Sequence, residues 1–283
     1  MLLRHIIVAT DESEAGRSAV RAGLDLARRA FARVTIMRVV QVESIAFLGS
    51  VEGGVLGPDA AADALERLQR WVDAEIGADS PVSVELGIAL GVPGIEICRF
   101  AEQRGADLLV LGRKHRSAVA RILVGDTADA VIRRSRLPCL FVEQGALPLS
   151  QLLVALDGSE RGMRVYTAAR AFAQSIGAGL TVVTVEKGEA AQAAAPVPPL
   201  PLTRSSWLWS ELGSPGAPAS AETAVSIRQG RVVSEILAEI TGCGADLLTF
   251  GCHRGGPSGI LESGGTARHL LHSAPVSVLT IPL

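Results

Sequence analysis

Asp11 and Asp157 each close a short apolar run and stand two residues before a serine, in Val8-Ala9-Thr10-Asp11-Glu12-Ser13 and Val154-Ala155-Leu156-Asp157-Gly158-Ser159. A carboxylate at the exit of a buried strand can hold a polar ligand. It can equally shape a strand-to-helix turn whose serine caps the next helix. Two glycine pairs sit further along, Gly112 with Gly125 and Gly251 with Gly264, each pair thirteen residues apart. Thr127 follows the first pair and Gly265-Thr266 the second. Glycine at a strand exit permits a positive φ and a close approach of backbone amides to a ligand. A helix beginning just beyond offers unpaired N–H groups and a partial positive charge, the ingredients of an anion site. Between the glycines stand Arg113-Lys114-His115-Arg116 in one half and Cys252-His253-Arg254 in the other. Such basic runs contact phosphate or simply face water, and the second reading is the default. Cys252-His253 has no third ligand at a metal-site spacing. His269 and His272 lie three apart on one helix and read as surface positions. There is no G-x-x-x-x-G-K-[ST] stretch and no G-x-S-x-G elbow. Nothing resembles a positioned general base or metal cage, so an enzyme is not the expected class, and any ATP turnover would be slow.

These residues recur because the chain repeats itself. Gly105-Ala106-Asp107-Leu108-Leu109 returns as Gly244-Ala245-Asp246-Leu247-Leu248, an offset of 139 that Gly112/Gly251 and Gly125/Gly264 share. The two Asp-x-Ser runs are offset by 146. Both halves end alike, in Leu137-Pro138-Cys139-Leu140-Phe141-Val142 and Ala274-Pro275-Val276-Ser277-Val278-Leu279. A period near 140 is a domain's length, not a solenoid repeat's, which predicts tandem domains over 1–146 and 150–283. In the first, strands are expected at 5–10, 33–40, 82–88, 107–111 and 139–143, and helices at 14–30, 59–76, 93–104 and 126–135. In the second, a helix starts near Val232 with Val232, Val233, Ile236, Leu237 and Ile240 on one face. The alternation implies parallel strands, right-handed crossovers and an open doubly wound α/β sheet in each half. Ligands then bind beyond the carboxyl ends of the strands, where strand order reverses. One segment departs from the plan. The first half carries an amphipathic helix with Leu65, Leu68, Trp71 and Val72, whereas the second has a Pro-rich stretch near 187–221, read as a loop carrying Trp207 and Trp209.

Composition narrows the classes. The 283 residues are 48% hydrophobic but only 4% aromatic, so the core rests on aliphatic side chains. With 27 basic and 29 acidic residues the net charge is −2, which argues against a nucleic-acid-coating protein. The mean hydropathy of +0.34 is explained by buried parallel strands, because no apolar run reaches the length of a spanning helix. The amino terminus does not read as a secretion signal. Four scattered cysteines without a C-x-x-C pair suit reduced thiols, and the expected location is the cytoplasm.

The succession of apolar strand, Asp and Ser, then Gly-Ala-Asp-Leu-Leu-x-x-Gly, then a second Gly, then x-Pro-x-x-Val, resembles the universal stress protein family. The resemblance covers both halves except the Pro-rich stretch. It implies two Rossmann-like domains, each a five-stranded parallel sheet of order 3-2-1-4-5. It also implies that 139–143 and 276–281 pair antiparallel across the halves as a pseudo-dimer; apolar edge strands need such cover. A homodimer of the chain is a further expectation. Nucleotide-binding members carry Gly, two residues, Gly, nine residues, Gly, then Ser or Thr around the phosphates of ATP, while the strand-one Asp and the backbone after strand two hold the adenosine end. Carried over, the candidate nucleotide-binding residues are Asp157, Val185, Gly251, Arg254, Gly264, Gly265 and Thr266 in the second copy. In the first they are Asp11, Val39, Gly112, His115, Gly125 and Thr127. The cofactor implied is ATP or AMP, with Mg as companion of the phosphates. Both copies depart from the pattern. His115 and Arg254 replace the middle glycine, Asp126 puts a repelling charge at the hydroxyl position, and Gly265 with Thr266 leaves helix-end amides open. The second copy is therefore the expected site and the first its degenerate partner. The rival class is a nucleotide-free adaptor working through its surface, the Trp207/Trp209 segment included. A third class, an adenylyl- or phosphoryl-transfer enzyme, would need acidic metal ligands that the sequence does not offer.

Overall fold

The computed structural model describes residues 2–41, 58–76, 82–113, 127–145, 149–186, 223–252 and 264–283. The chain divides into two compact units, one drawn from residues 2–146 and the other from residues 147–283. The Pro-rich stretch with Trp207 and Trp209 lies outside the described residues.

The first unit runs β1 (His5–Ala9), α1 (Glu14–Ala30), β2 (Arg33–Val40), α2 (Pro58–Ile76), β3 (Val84–Leu90), α3 (Pro93–Gln103), β4 (Leu108–Gly112), α4 (Thr127–Arg134) and β5 (Cys139–Val142). Its strands are all parallel, in the order β3-β2-β1-β4-β5. The second unit runs β6 (Gln151–Leu156), α5 (Glu160–Ile176), β7 (Gly179–Glu186), β8 (Thr223–Gln229), α6 (Val232–Cys243), β9 (Leu247–Cys252), α7 (Gly264–Ser273) and β10 (Ser277–Pro282). Its parallel order is β8-β7-β6-β9-β10, the same plan.

Strands β1, β4 and β5 form because they are near-continuous apolar runs buried on both faces: every residue of β1, β5 and the first four of β4 is buried. Helix α1 begins where the Ser13 hydroxyl accepts the Gly16 amide at 3.3 Å, and α5 begins where Ser159 accepts that of Gly162 at 3.4 Å. On α2 the buried stripe is Ala64, Leu68 and Val72, one residue in each turn. Leu65, expected on that face, is instead 42% exposed, about 100° round the helix from Ala64. Strand β3 starts and ends two residues later than the pattern suggests. Its register, Val34↔Val84 through Val40↔Leu90, pairs it with β2 along nearly the whole of that strand.

The repeated Gly-Ala-Asp-Leu-Leu block is a joint at the amino end of the sheet. Its glycine ends the preceding helix in a left-handed conformation, φ 62° at Gly105 and 65° at Gly244. Its aspartate then fastens the strand before which it stands to the central one. Asp107 Oδ2 accepts the amides of Arg4 (2.8 Å) and His5 (3.0 Å). Asp246 accepts the amides of Ser150 (2.8 Å) and Gln151 (3.0 Å) and the Ser150 hydroxyl (2.6 Å). Beside this joint the two copies use different side chains for one task. His5 Nε2 lies 2.8 Å from Thr35 Oγ1, where Gln151 Nε2 donates to Thr181 Oγ1 at 3.0 Å in the second unit. Among the described residues, no helix is long and apolar enough to cross a membrane.

Candidate functional site

At the carboxyl end of each sheet, the first-strand exit lies beside the fourth-strand exit. Ala9 is in register with Leu111, which brings Thr10 and Asp11 next to Gly112; Ala155 is in register with Phe250, which does the same for Asp157 and Gly251. The crossover helix that follows the fourth strand starts at this same end, since it returns antiparallel to the strands on either side.

Both strand-one aspartates build their turns. Asp157 Oδ1 accepts the Ser159 amide at 3.0 Å and its hydroxyl at 2.7 Å. Asp11 Oδ1 accepts the Ser13 amide at 3.1 Å and also the Ser13 hydroxyl. Each carboxylate is nevertheless exposed, and Asp157 Oδ2 makes no hydrogen bond among the described residues. The residue between Asp and Ser is left-handed in both copies, Gly158 at φ 72° and Glu12 at φ 61°. Glycine takes that conformation freely, glutamate does not. Glu12 is held by an ion pair to Arg38, near the carboxyl end of β2. The corresponding residues of the second copy are Gly158 and Thr184, so among the described residues no equivalent ion pair spans its first- and second-strand exits.

Val39 and Val185 lie inside the last turns of their strands rather than beyond them. Val39 is in register with Ala89 and Val185 with Arg228. The ladder to the third strand continues one residue past it, with the Gly91 amide donating to Val40 O at 3.0 Å and the Gly230 amide to Glu186 O at 3.1 Å. Arg228 is itself fixed by Glu235 at 3.1 Å and by Glu239, and these bonds raise its already high pKa.

The strand-four glycines have a different cause from the one expected. Neither Gly112 nor Gly251 has a positive φ. A Cβ on Gly112 would stand 2.0 Å from Ala15 O, because the first turn of α1 presses on the end of β4. One on Gly251 would meet Val165 Cγ2 and Leu283 Cδ1, each at 2.7 Å. Helix-to-strand packing therefore requires glycine at 112, where the clash is with backbone, whereas at 251 a Cβ would displace only the ends of two side chains. Arg113, expected to be solvated with the rest of its basic run, is also different. It is 7% exposed and forms an ion pair with Glu143, itself 5% exposed, at the exit of β5. Burial lowers the Arg113 pKa and the Glu143 carboxylate opposes that shift. Cys252 and Pro282 occupy these two places in the second copy.

At the crossover helices, Thr127 opens α4 half-buried, while Gly264 opens α7 with Gly265 and Thr266 exposed behind it. Nothing lies within 4 Å of where a Gly265 Cβ would be. His115, Gly125 and Arg254, with Lys114, Arg116, Asp126 and His253, lie outside the described residues. His269 and His272 are exposed on α7. Among the described residues, no group of three His, Cys, Asp or Glu could hold a metal. The four cysteines are thiols, and burial with the nearby Glu102 pushes Cys98 up to about 11.

The ion pairs Glu12–Arg38 and Arg113–Glu143 were not singled out by sequence reading. The signal that finds them is comparison of the copies: both members of each pair become uncharged together, as Gly158/Thr184 and Cys252/Pro282.

The profile of the universal stress protein family matches residues 3–143 and again 149–282. A universal stress protein of Methanocaldococcus jannaschii is 30% identical over 149 residues, 50% of this chain and 84% of that protein. One of Bacillus subtilis is 28% identical over 148 residues, 50% of this chain and 99% of that protein. Among solved structures, a universal stress protein from Archaeoglobus fulgidus superposes with a TM-score of 0.75 at 19% identity, covering 98% of both chains.

Proposed function

The chain belongs to the universal stress protein family, and from that premise we propose that its second unit binds an adenine nucleotide, ATP or AMP, while its first unit has closed the equivalent crevice with its own ion pairs. The observation that carries this reading is the pair Glu12–Arg38 across the strand exits of the first unit, against Gly158 and Thr184 in the second. In the second unit Asp157 keeps one carboxylate oxygen for a ribose or adenine donor, and the Val185 backbone borders the base. Gly251, Arg254, Gly264, Gly265 and Thr266 would receive the phosphates, with the exposed α7 amides and dipole supplying attraction. Mg would arrive on the phosphates, since the described residues offer it no cage. In the first unit Asp11, Val39, Gly112, His115, Gly125 and Thr127 are the degenerate set.

The protein acts in this reading as a cytoplasmic nucleotide-responsive regulator, with slow hydrolysis at most. Antiparallel pairing of β5 with β10 across the units and association into a homodimer belong to the same proposal, and light scattering of the full chain tests the second. The nucleotide test uses the full chain in isothermal titration with ATP and AMP. Asp157→Ala should weaken binding by about tenfold or more, the loss of a charge-assisted bond, while Asp11→Ala leaves it unchanged. The opposite ranking refutes the assignment to the second unit. Silence of the wild-type chain at millimolar ATP and AMP leaves the nucleotide-free adaptor, which the closed first crevice favours.

A further inference from the structure

The amino end of the first sheet carries side chains that the fold does not require. Phe31 ends α1 in a left-handed conformation, φ 53°, with 97% of its surface exposed. A bulky residue with φ in that region is strained, and Gly177 does the same task in the second unit at φ 66°. Around it the chain gathers arginines. The Arg33 amide donates to Arg4 O at 3.0 Å, so the entries to β1 and β2 lie side by side, with Leu2, 73% exposed, two residues before Arg4. Arg104 caps α3 next to this joint, its carbonyl 3.2 Å from His5 Nδ1 and its guanidinium over the Phe100 ring at 5.0 Å. Arg28 projects from the last turn of α1. Arg4 and Arg33 have no ion pair among the described residues, although one nitrogen of the Arg33 guanidinium lies 3.2 Å from His5 Nδ1; Arg28 meets Asp25 at 3.0 Å and Arg104 meets Glu85 at 3.3 Å.

The second unit is the control. At the places of Arg4, Arg28, Phe31, Arg33 and Arg104 it has Ser150, Gln174, Gly177, Gly179 and Cys243. The same sheet end, built on the same joint with Asp246, has there none of these arginines and no aromatic at the place of Phe31. We propose that this end of the first unit is a docking surface for a protein segment that presents carboxylates around an apolar side chain. Phe31 and Leu2 would supply the apolar contact, and the guanidinium forks of Arg4 and Arg33 match carboxylates in geometry as well as sign. Asp25, Glu85 and Asp107 are interspersed among the arginines. A partner with individually placed charges can avoid them; a uniformly anionic bilayer or nucleic-acid backbone cannot.

A random peptide library selected on the immobilised full-length chain tests this, with the Phe31→Gly and Arg4→Ser chains as counter-targets and fluorescence anisotropy on the enriched peptides. Enriched peptides should carry Asp or Glu beside an aromatic or aliphatic residue. They should bind each variant about tenfold or more weakly than wild type, a change of about 1.4 kcal/mol. Phe31→Gly removes backbone strain, so its loss of binding cannot be ascribed to unfolding. Failure to enrich such peptides, or equal binding to both variants, overturns the proposal. So does Phe31-dependent co-sedimentation with phosphatidylserine vesicles without acidic-peptide binding.

Discussion

Replacing His5 by glutamine separates what the imidazole does for the fold from what its charge would do against it. His5 is 2% exposed, with Nε2 at 2.8 Å from Thr35 Oγ1 and Nδ1 at 3.2 Å from both the Arg104 carbonyl and the Arg33 guanidinium. Burial and the Arg33 charge depress its pKa, against opposing pulls from the Arg104 carbonyl, Glu85 and Asp107. A base whose folded pKa is depressed binds its proton first in the unfolded chain, so stability is full above the unfolded pKa and declines as pH falls below it. With an unfolded value of about 6.5, the loss reaches at most about 1.4 kcal/mol at about pH 5.5 and is negligible near about pH 7.5. Gln151 already bonds Thr181 at 3.0 Å in the second unit, so glutamine can take over the contact without a titrating group. Amide hydrogen exchange of β1 and β2 peptides, corrected for intrinsic rates, reads the opening free energy of the first unit by itself. Wild type should lose protection between about pH 7.5 and 5.5, and His5→Gln should lose less over that window, by no more than about 1.4 kcal/mol. Parallel curves for the two chains would refute the reasoning, because they would mean the folded site accepts the proton as readily as the unfolded chain.

Three further outcomes are expected, each measurable by chemical denaturation. Phe31→Gly should stabilise the first unit by about 1 kcal/mol through relief of the left-handed strain, as glycine does at the same cap in the second unit. Thr249→Val should stabilise the second unit by about 1 kcal/mol, since the fully buried Thr249 hydroxyl has no hydrogen-bond partner among the described residues and Val110 fills the same strand position in the first. Gly112→Ala should destabilise by about 3 kcal/mol or more, because its Cβ would stand 2.0 Å from a backbone oxygen of α1; a neutral result would remove packing as the reason for that glycine.

The fold was legible because its strongest signals are local. A strand buried on both faces writes itself as an aliphatic run, as in His5–Ala9, and Ser13 and Ser159 mark helix starts by their own hydroxyls. Repetition of Gly-Ala-Asp-Leu-Leu announced the duplication, but its reason was not legible. Asp107 acts on amides that precede it by more than a hundred residues in sequence, Arg4 and His5. At the strand-four exits the positions of the glycines were legible but not their conformation, since neither Gly112 nor Gly251 has the positive φ expected. A glycine kept for packing and one kept for a ligand look alike in sequence, and the packing need at Gly112 shows only in the structure. Partners such as Arg113 and Glu143, 30 residues apart, carry no local pattern that distinguishes a buried pair from two solvated charges.

The departures between the copies have a direction. Glu12 and Phe31 hold left-handed conformations that glycine holds in the second unit, and Arg113–Glu143 is a buried ion pair where the second unit has a thiol and a proline. Left-handed non-glycine residues are destabilising, and a buried pair gains little over apolar packing because both charges are desolvated. The second unit shows that the same sheet forms without any of them. Features that the fold does not need and that weigh against stability persist where they serve another end. In the first unit those features fall at opposite ends of the sheet, two ion pairs at the carboxyl end and an exposed phenylalanine with Arg4 and Arg33 at the amino end. An ion pair needs both members to offset the desolvation of either one. Glu12 with Arg38 and Arg113 with Glu143 each stand as complete pairs, and the second unit lacks both members of each.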